Sequence, residues 1–135
     1  MQLPQDLQHF PVQTLLVASD SVHAKFWLLH AEELEELPAI SIPRESQQPS
    51  EGGPQDENMD AERFHRFVHE VMERITDIVQ EHQIAQFHLV MPAEIEHAVM
   101  GHLPQDVIAK VQKRLHHDVM NESATEIVRR IVSGS

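Results

Sequence analysis

Four groups of residues in this chain have the types and spacing that chemistry uses. The first is Gly52-Gly53-Pro54-Gln55, which follows Glu51 and precedes Arg63-Phe64-His65-Arg66-Phe67. A glycine pair has no side chains to shield its backbone, so a loop built on it can offer bare amides to a partner. The second is His65 and His69, spaced i, i+4, which a helix places on one side where both imidazoles can reach a divalent ion. The pair flanks an apolar stripe, so partial burial is expected, and Glu62, Glu73 or a neighbouring chain would have to complete the site. No His-Glu-x-x-His order accompanies it, and ordinary surface histidines are the plainer reading. The third is Lys110, Lys113, Arg114, Arg129 and Arg130, the nucleic-acid contact candidates, gathered in the last quarter of the chain. The fourth is Ser19-Asp20-Ser21 with His23, which has the residue types of a nucleophilic triad. Side chains that close on a hairpin rarely converge in triad geometry, and there is no Gly-x-Ser-x-Gly elbow, so turn chemistry accounts for them.

The charge balance limits the partners. Twenty-two acidic and ten basic residues leave a formal charge of −12 with the eleven histidines neutral. Such a chain is repelled by phosphate backbones unless its cations share one face. Protonating every histidine would bring the charge to −1, so association or solubility should change under mild acid. Cysteine is absent, which excludes disulfides, thiolate zinc sites and a thiol nucleophile. No apolar run approaches the ~18 residues that a membrane helix needs. The opening residues lack the basic start and apolar block of a secretory signal, so a cytoplasmic protein of bacterial type is the expectation. No cofactor is implied.

These groups must be positioned by the elements around them. The apolar run 14–18 reads as a buried strand and 24–30 as its hairpin partner. Residues 33–42 admit either a third strand, which Leu34, Leu37, Ile40 and Ile42 would suit, or a helical turn over Glu32-Glu33-Leu34-Glu35-Glu36-Leu37. Pro38 and Pro43 favour the strand. Residues 43–59 form a polar, exposed loop that the family of short connections does not accommodate. Asp60 then caps a helix of about six turns, with Phe64, Phe67, Val68, Val71, Met72, Ile75, Ile78 and Val79 on one face. A strand at 86–91 ends at Pro92, and a short helix at 93–100 stops before Gly101. A further helix opens at Pro104, with Val107, Ile108 and Val111 on one side. A last strand is expected at 114–119, which would send His116 and His117 to opposite faces. Asn121 is the expected cap of a final helix carrying Ala124, Ile127, Val128 and Ile131. The sum is one α/β domain over 1–135, with a mixed β-sheet of about five strands covered by helices.

With the elements in place, several short motifs resemble the bacterial host-attachment protein family. The run Leu15-Leu16-Val17-Ala18-Ser19-Asp20-Ser21-Val22-His23-Ala24-Lys25-Phe26-Trp27 is similar to its opening: an apolar strand, an Ala-Asp-Gly/Ser turn, and a small-basic-aromatic strand. Phe87-His88-Leu89-Val90-Met91-Pro92-Ala93 resembles its strand ending in Ala-Pro-Pro. Arg114-Leu115-His116-His117-Asp118-Val119, with Ser123 and Glu126-Ile127, resembles its closing Lys-Asp-Leu-Thr segment and last helix. The resemblance runs over about residues 12–132 and implies a fold like the middle domain of eukaryotic and archaeal release factors, a ribonuclease H-like arrangement. In that domain a Gly-Gly-Gln loop precedes a long helix, and here Gly52, Gly53 and Gln55 stand at the corresponding place, with Arg63, Phe64 and Arg66 entering the helix. Pro54 interrupts the motif, and Glu51, Asp56, Glu57, Asp60 and Glu62 make it acidic where the release-factor loop is basic. The resemblance implies a non-enzymatic interaction module associated with the ribosome or tRNA, a protein partner or a second copy of the chain. It also leaves open a ribosome-rescue peptidyl-tRNA hydrolase using Gly52, Gly53 and Gln55, and an indirect role in attachment to host cells.

Overall fold

A computed structural model describes residues 2–41 and 56–133, the side chains of 56–60 excepted. The elements are β1 (Phe10–Ser19), β2 (His23–Ala31), β3 (Glu33–Ser41), α1 (Asp56–Glu81), β4 (Gln86–Val90), α2 (Ala93–Met100), α3 (Gln105–Ile108), β5 (Val111–Leu115) and α4 (Ala124–Ser133). The five strands form one mixed sheet in the order β3-β2-β1-β4-β5. β1 pairs antiparallel with β2 and parallel with β4, while β3 and β5 are the edges.

Because side chains alternate across a strand, the sheet supplies two cores. Leu15, Val17, Phe26, Phe87 and Leu89 face one side and pack with Phe67, Val71, Ile75 and Ile78 of α1 and with Ile95 and Val99 of α2. Leu16, Ala18, Trp27, Leu29 and Val90 face the other side and meet Ile127, Val128 and Ile131 of α4. Leu3, Leu7 and Phe10 join this second core, placed by a 3-10 turn (Gln5–Leu7) and by the bridge of Gln2 to Glu33. β1 is therefore apolar on both faces, with Leu15, Leu16, Val17 and Ala18 fully buried.

The edge strands break the simple alternation. On β3, Leu37 stands opposite Phe26 and Ile40 opposite Ala24, so one extra residue is accommodated between them. This bulge lets Leu37 and Ile40, three residues apart, face the α1 side together, which explains their helix-like spacing. Pro38 lies in the bulge of an edge strand, where a missing amide costs least. Arg74 of α1 fixes this region by donating to the Pro38 carbonyl at 2.7 Å and stacking its guanidinium 5.6 Å from the Phe26 ring. β5 has the same device, since Phe87 pairs with Val111 but His88 with Lys113.

Several boundaries differ from the sequence expectation. α1 begins at Asp56 rather than at a cap on Asp60. The sequence at 56–59 contains no proline or glycine to stop the helix from starting there. The helix after Pro104 is only four residues long, and Val111 opens β5 instead of continuing it. β5 itself lies at Val111–Leu115, not 114–119, because only that stretch registers beside β4. Ser123, not Asn121, caps α4: its Oγ accepts the Glu126 amide at 3.2 Å, and Glu126 Oε1 accepts the Ser123 amide at 2.9 Å. This reciprocal pair is a capping box.

Ala31, like Gln83, and His88 each carry a local cost. Ala31 turns the β2–β3 hairpin at φ 54°, in the left-handed region that favours glycine. Ala31→Gly should raise stability by about 0.5–1 kcal/mol in urea denaturation, the relief of strain exceeding the added freedom of the unfolded chain. His88 is 4 % exposed on the second face, edge-on to Phe10 with ring centroids 6.2 Å apart, and its Nδ1 has no hydrogen-bond partner. Burial, with Lys113 adding repulsion, pushes its pKa down to about 4. The unfolded chain therefore binds a proton that the folded chain refuses between pH ~6.5 and ~4. Stability from this group is whole above that window and falls as the pH drops through it. Relative to His88→Leu, the protein should lose about 2 kcal/mol between pH 7 and pH 5 in paired urea titrations; equal losses would show that His88 is solvated.

Candidate functional site

The five cations of the last quarter do not share one face. Lys113 and Arg114 are adjacent on β5, so the pleat sends them to opposite sides. Lys113 lies beside His88 and donates to the Ile131 carbonyl of α4 at 2.5 Å. Arg114 lies beside Leu89, with its Nε 3.6 Å from Glu96 Oε1 of α2. Lys110 donates to the Ile84 carbonyl in the α1–β4 connection at 3.0 Å. On α4, Arg129 donates to Asp6 Oδ2 at 2.7 Å, and Arg130 holds both oxygens of Glu122 through Nε and Nη2 at 2.7–3.2 Å. The Arg130 hydrogen bonds hold the Glu122 carboxyl below its ordinary range, and the same bonds raise Arg130. The Arg129 hydrogen bond likewise lowers Asp6. Four of the five cations thus donate to an acceptor within the chain, and the fifth, Arg114, has an ion-pair partner in Glu96.

One ionisable cluster was not visible in the sequence. Glu96, a residue 7 % exposed in α2, accepts from His116 Nε2 at 3.2 Å beside the Arg114 guanidinium. The two partners are 20 residues apart, and reading 114–119 as a strand gave no reason to join them. His116 and His117 in fact follow β5, and His116 reaches the α2 side. A proton on Nε2 leaves the imidazole Nδ1 as an acceptor. The arrangement ties the end of an edge strand to the helix above it, with a buried carboxylate hydrogen-bonded to His116 and facing the Arg114 charge at 3.6 Å.

His65 and His69 both lie on α1 and both are exposed, not partly buried. The apolar stripe closes over Phe67 and Val68 and leaves the histidines outside it. His65 contacts the Phe64 ring edge-on, and His69 Nε2 is 3.6 Å from Glu73 Oε1. Among the described residues no group of three or more His, Cys, Asp or Glu could hold a metal ion. Gly52, Gly53 and Gln55 lie outside the described residues. At the β1–β2 turn the Ser19 hydroxyl is shared between the carbonyls of Asp20 and His23 at 2.7 and 3.0 Å. Asp20 Oδ1 accepts the amides of Val22 and His23 at 2.8 and 2.6 Å. These groups build the turn and leave no activated nucleophile.

A second surface concentrates the opposite charge. Glu32, Glu33, Glu35 and Glu36 are all exposed on and beside β3, and no Lys or Arg occurs from residue 26 to residue 43. On the α4 side, a shallow groove runs between β3 and the start of α4, lined by Trp27, Glu33, Leu34, Glu35, Glu36 and Ala124. Glu36 stands directly opposite Trp27 in the β2–β3 register.

Comparison with known proteins fits this fold. Among solved structures, an archaeal protein superposes with a TM-score of 0.52 at 11 % identity, over 90 % of this chain and 37 % of its own. Archaeal translation termination factor aRF1 gives a TM-score of 0.49 at 14 % identity, over 90 % of this chain and 38 % of its own. This chain therefore spans less than two-fifths of either structure, and at 11 % identity the likeness to the first is one of fold alone. No curated protein matches the sequence. A family model described as "Protein required for attachment to host cells" matches residues 29–131, and the chain belongs to that host-attachment family.

Proposed function

We propose that this member of the host-attachment family is a non-enzymatic interaction module whose partner presents a cationic macromolecular surface. The observation that carries the reading is the internal engagement of Lys110, Lys113, Arg114, Arg129 and Arg130. With those cations turned to the chain's own acceptors, the field of a chain of net charge −12 stays negative. Such a field favours basic protein segments and opposes bare phosphate. Association with the ribosome is compatible with this reading, since ribosomes expose basic protein as well as RNA; tRNA alone offers only the unfavourable surface. The role in attachment to host cells would then follow from the partner that the module engages.

The test is co-sedimentation of the purified chain with ribosomes at low and high salt, with free tRNA or a basic polypeptide as competitor. A salt-sensitive complex displaced by the polypeptide and not by tRNA is the expected result. Displacement by tRNA, together with loss of the complex in Arg129→Gln/Arg130→Gln, would place the partner's phosphates against α4 and overturn the cationic-surface reading.

A further inference from the structure

We infer that residues 2–10 form a strap that lifts from the second face of the sheet when His88 takes up a proton. The inference stands apart from the interaction-module reading and concerns how the fold responds to acid. Three observations carry it.

The first is the seat of His88. Its ring is 4 % exposed, its Nδ1 has no hydrogen-bond partner, and Phe10 covers it edge-on. A neutral imidazole occupies that seat at the cost of one unmade bond, whereas an imidazolium there is a dry, unpaired charge. The second is the surroundings. Leu16 of β1 and Lys113 of β5 stand beside His88 in the sheet register. The strap brings Asp6 and His9, both exposed. From α4 come Arg129 and Arg130, bound to Asp6 and Glu122, and Glu126, engaged with the Ser123 amide. None of these carboxylates is paired with the His88 ring, and Lys113 beside it is a like charge. Burial and Lys113 hold its pKa down to about 4, so any opening that wets the ring is favoured as the pH falls.

The third is a hinge. Between the Phe10–Ala31 and Thr14–Leu29 pairs, β1 advances four residues while β2 advances two. Pro11 and Val12, within that excess, are exposed, and Pro11 has no amide to give to a ladder. The parallel register with β4 starts at Thr14. Phe10 can therefore move without unzipping 14–19. The strap's polar ties are the Leu3 amide on the Glu32 carbonyl at 2.7 Å, the Gln2–Glu33 bridge and the Asp6–Arg129 pair. That ion pair is exposed and adds little. The strap is held mainly by the burial of Leu3, Leu7 and Phe10, and Phe10 is the residue that stands over the ring. α4 is the firmer cover. Besides Ile127, Val128 and Ile131 it has its capping box, the Arg130–Glu122 pair and the Lys113 bond to the Ile131 carbonyl. Lifting the strap hydrates His88 and bares part of the second core while the sheet and α4 stay in place.

The experiment is amide hydrogen exchange on the whole chain at pH 7 and pH 5, corrected for the intrinsic rates, with and without His88→Leu. The amides of Leu3 and Leu7 report the strap, and those of Leu16 and Ile127 report the sheet and α4. The strap's opening constant should rise about twentyfold from pH 7 to pH 5, the ratio set by a ring that titrates near ~6.5 when wet and near 4 when covered. In His88→Leu, which keeps the other histidines, the rise should be under about twofold. Leu16 and Ile127 should stay at least about tenfold better protected than the strap at both pH values. Equal protection at all four amides would mean that the domain opens only as a whole, and would overturn the strap. A rise that persists in His88→Leu would assign it to other histidines and overturn the role of His88. The unaltered chain gives a second readout, the His88 ring shift by NMR. It should move in step with strap opening; a ring that titrates while Leu3 and Leu7 stay protected would sink the proposal.

Discussion

Everything in this molecule hangs on β1. It is the central strand of the five, antiparallel to β2 on one edge and parallel to β4 on the other, and its central residues are buried on both faces. A strand in that position cannot alternate apolar and polar; it must be apolar throughout, as Leu15-Leu16-Val17-Ala18 is. Its odd positions commit one face to α1 and α2, and its even positions commit the other to α4 and the N-terminal segment. The two helical layers do not need to touch each other, because each packs on its own pair of residues from the same run, Leu15 and Val17 on one side and Leu16 and Ala18 on the other. Burial of such side chains contributes roughly 1.5–3 kcal/mol apiece, so this short run is the common reference for the whole architecture.

What the sequence made legible follows from that arrangement. The central elements were readable because burial imposes a strong pattern: the β1–β2 hairpin, the apolar stripe of α1, and α2 between Pro92 and Gly101 all match closely. The edges were not. Two bulges, at Pro38 on β3 and at Gln112 on β5, reverse the parity of the residues that follow. The two prolines still identify β3 as a strand, but a period-two reading gives no account of its bulge and slides β5 toward its histidines. The second hairpin turn was equally silent, since Ala31 adopts the left-handed conformation without the glycine or asparagine that usually announces it. The Ser123 capping box, by contrast, was present in the letters as Ser-x-x-Glu and was passed over for Asn121.

The candidate sites show the same limit in another form. Five cations close together in sequence suggest a patch, yet strand geometry and hydrogen bonding distribute them over both faces of the sheet. Their acceptors were unreadable: a helical carbonyl, a turn carbonyl and carboxylates up to 123 residues away. The acidic run of β3 is likewise placed by pairing, the register setting Glu36 against Trp27. In this protein the surface is shaped less by which charges exist than by which of them the fold has already matched.

The parallel pairing of β1 with β4 has a consequence for how the chain comes to be folded. Thr14 meets Gln86, 72 residues later, and α1 must be made and laid across the sheet before that contact can close. During synthesis, the β1–β3 meander emerges with one edge of β1 unpaired and both apolar faces bare. Loop closure over such a distance delays the reward for ordering the hairpins. The nascent meander is thus the vulnerable species, a sticky strand edge awaiting its partner. Its persistence is governed by translation speed and chaperone access rather than by the stability of the finished sheet.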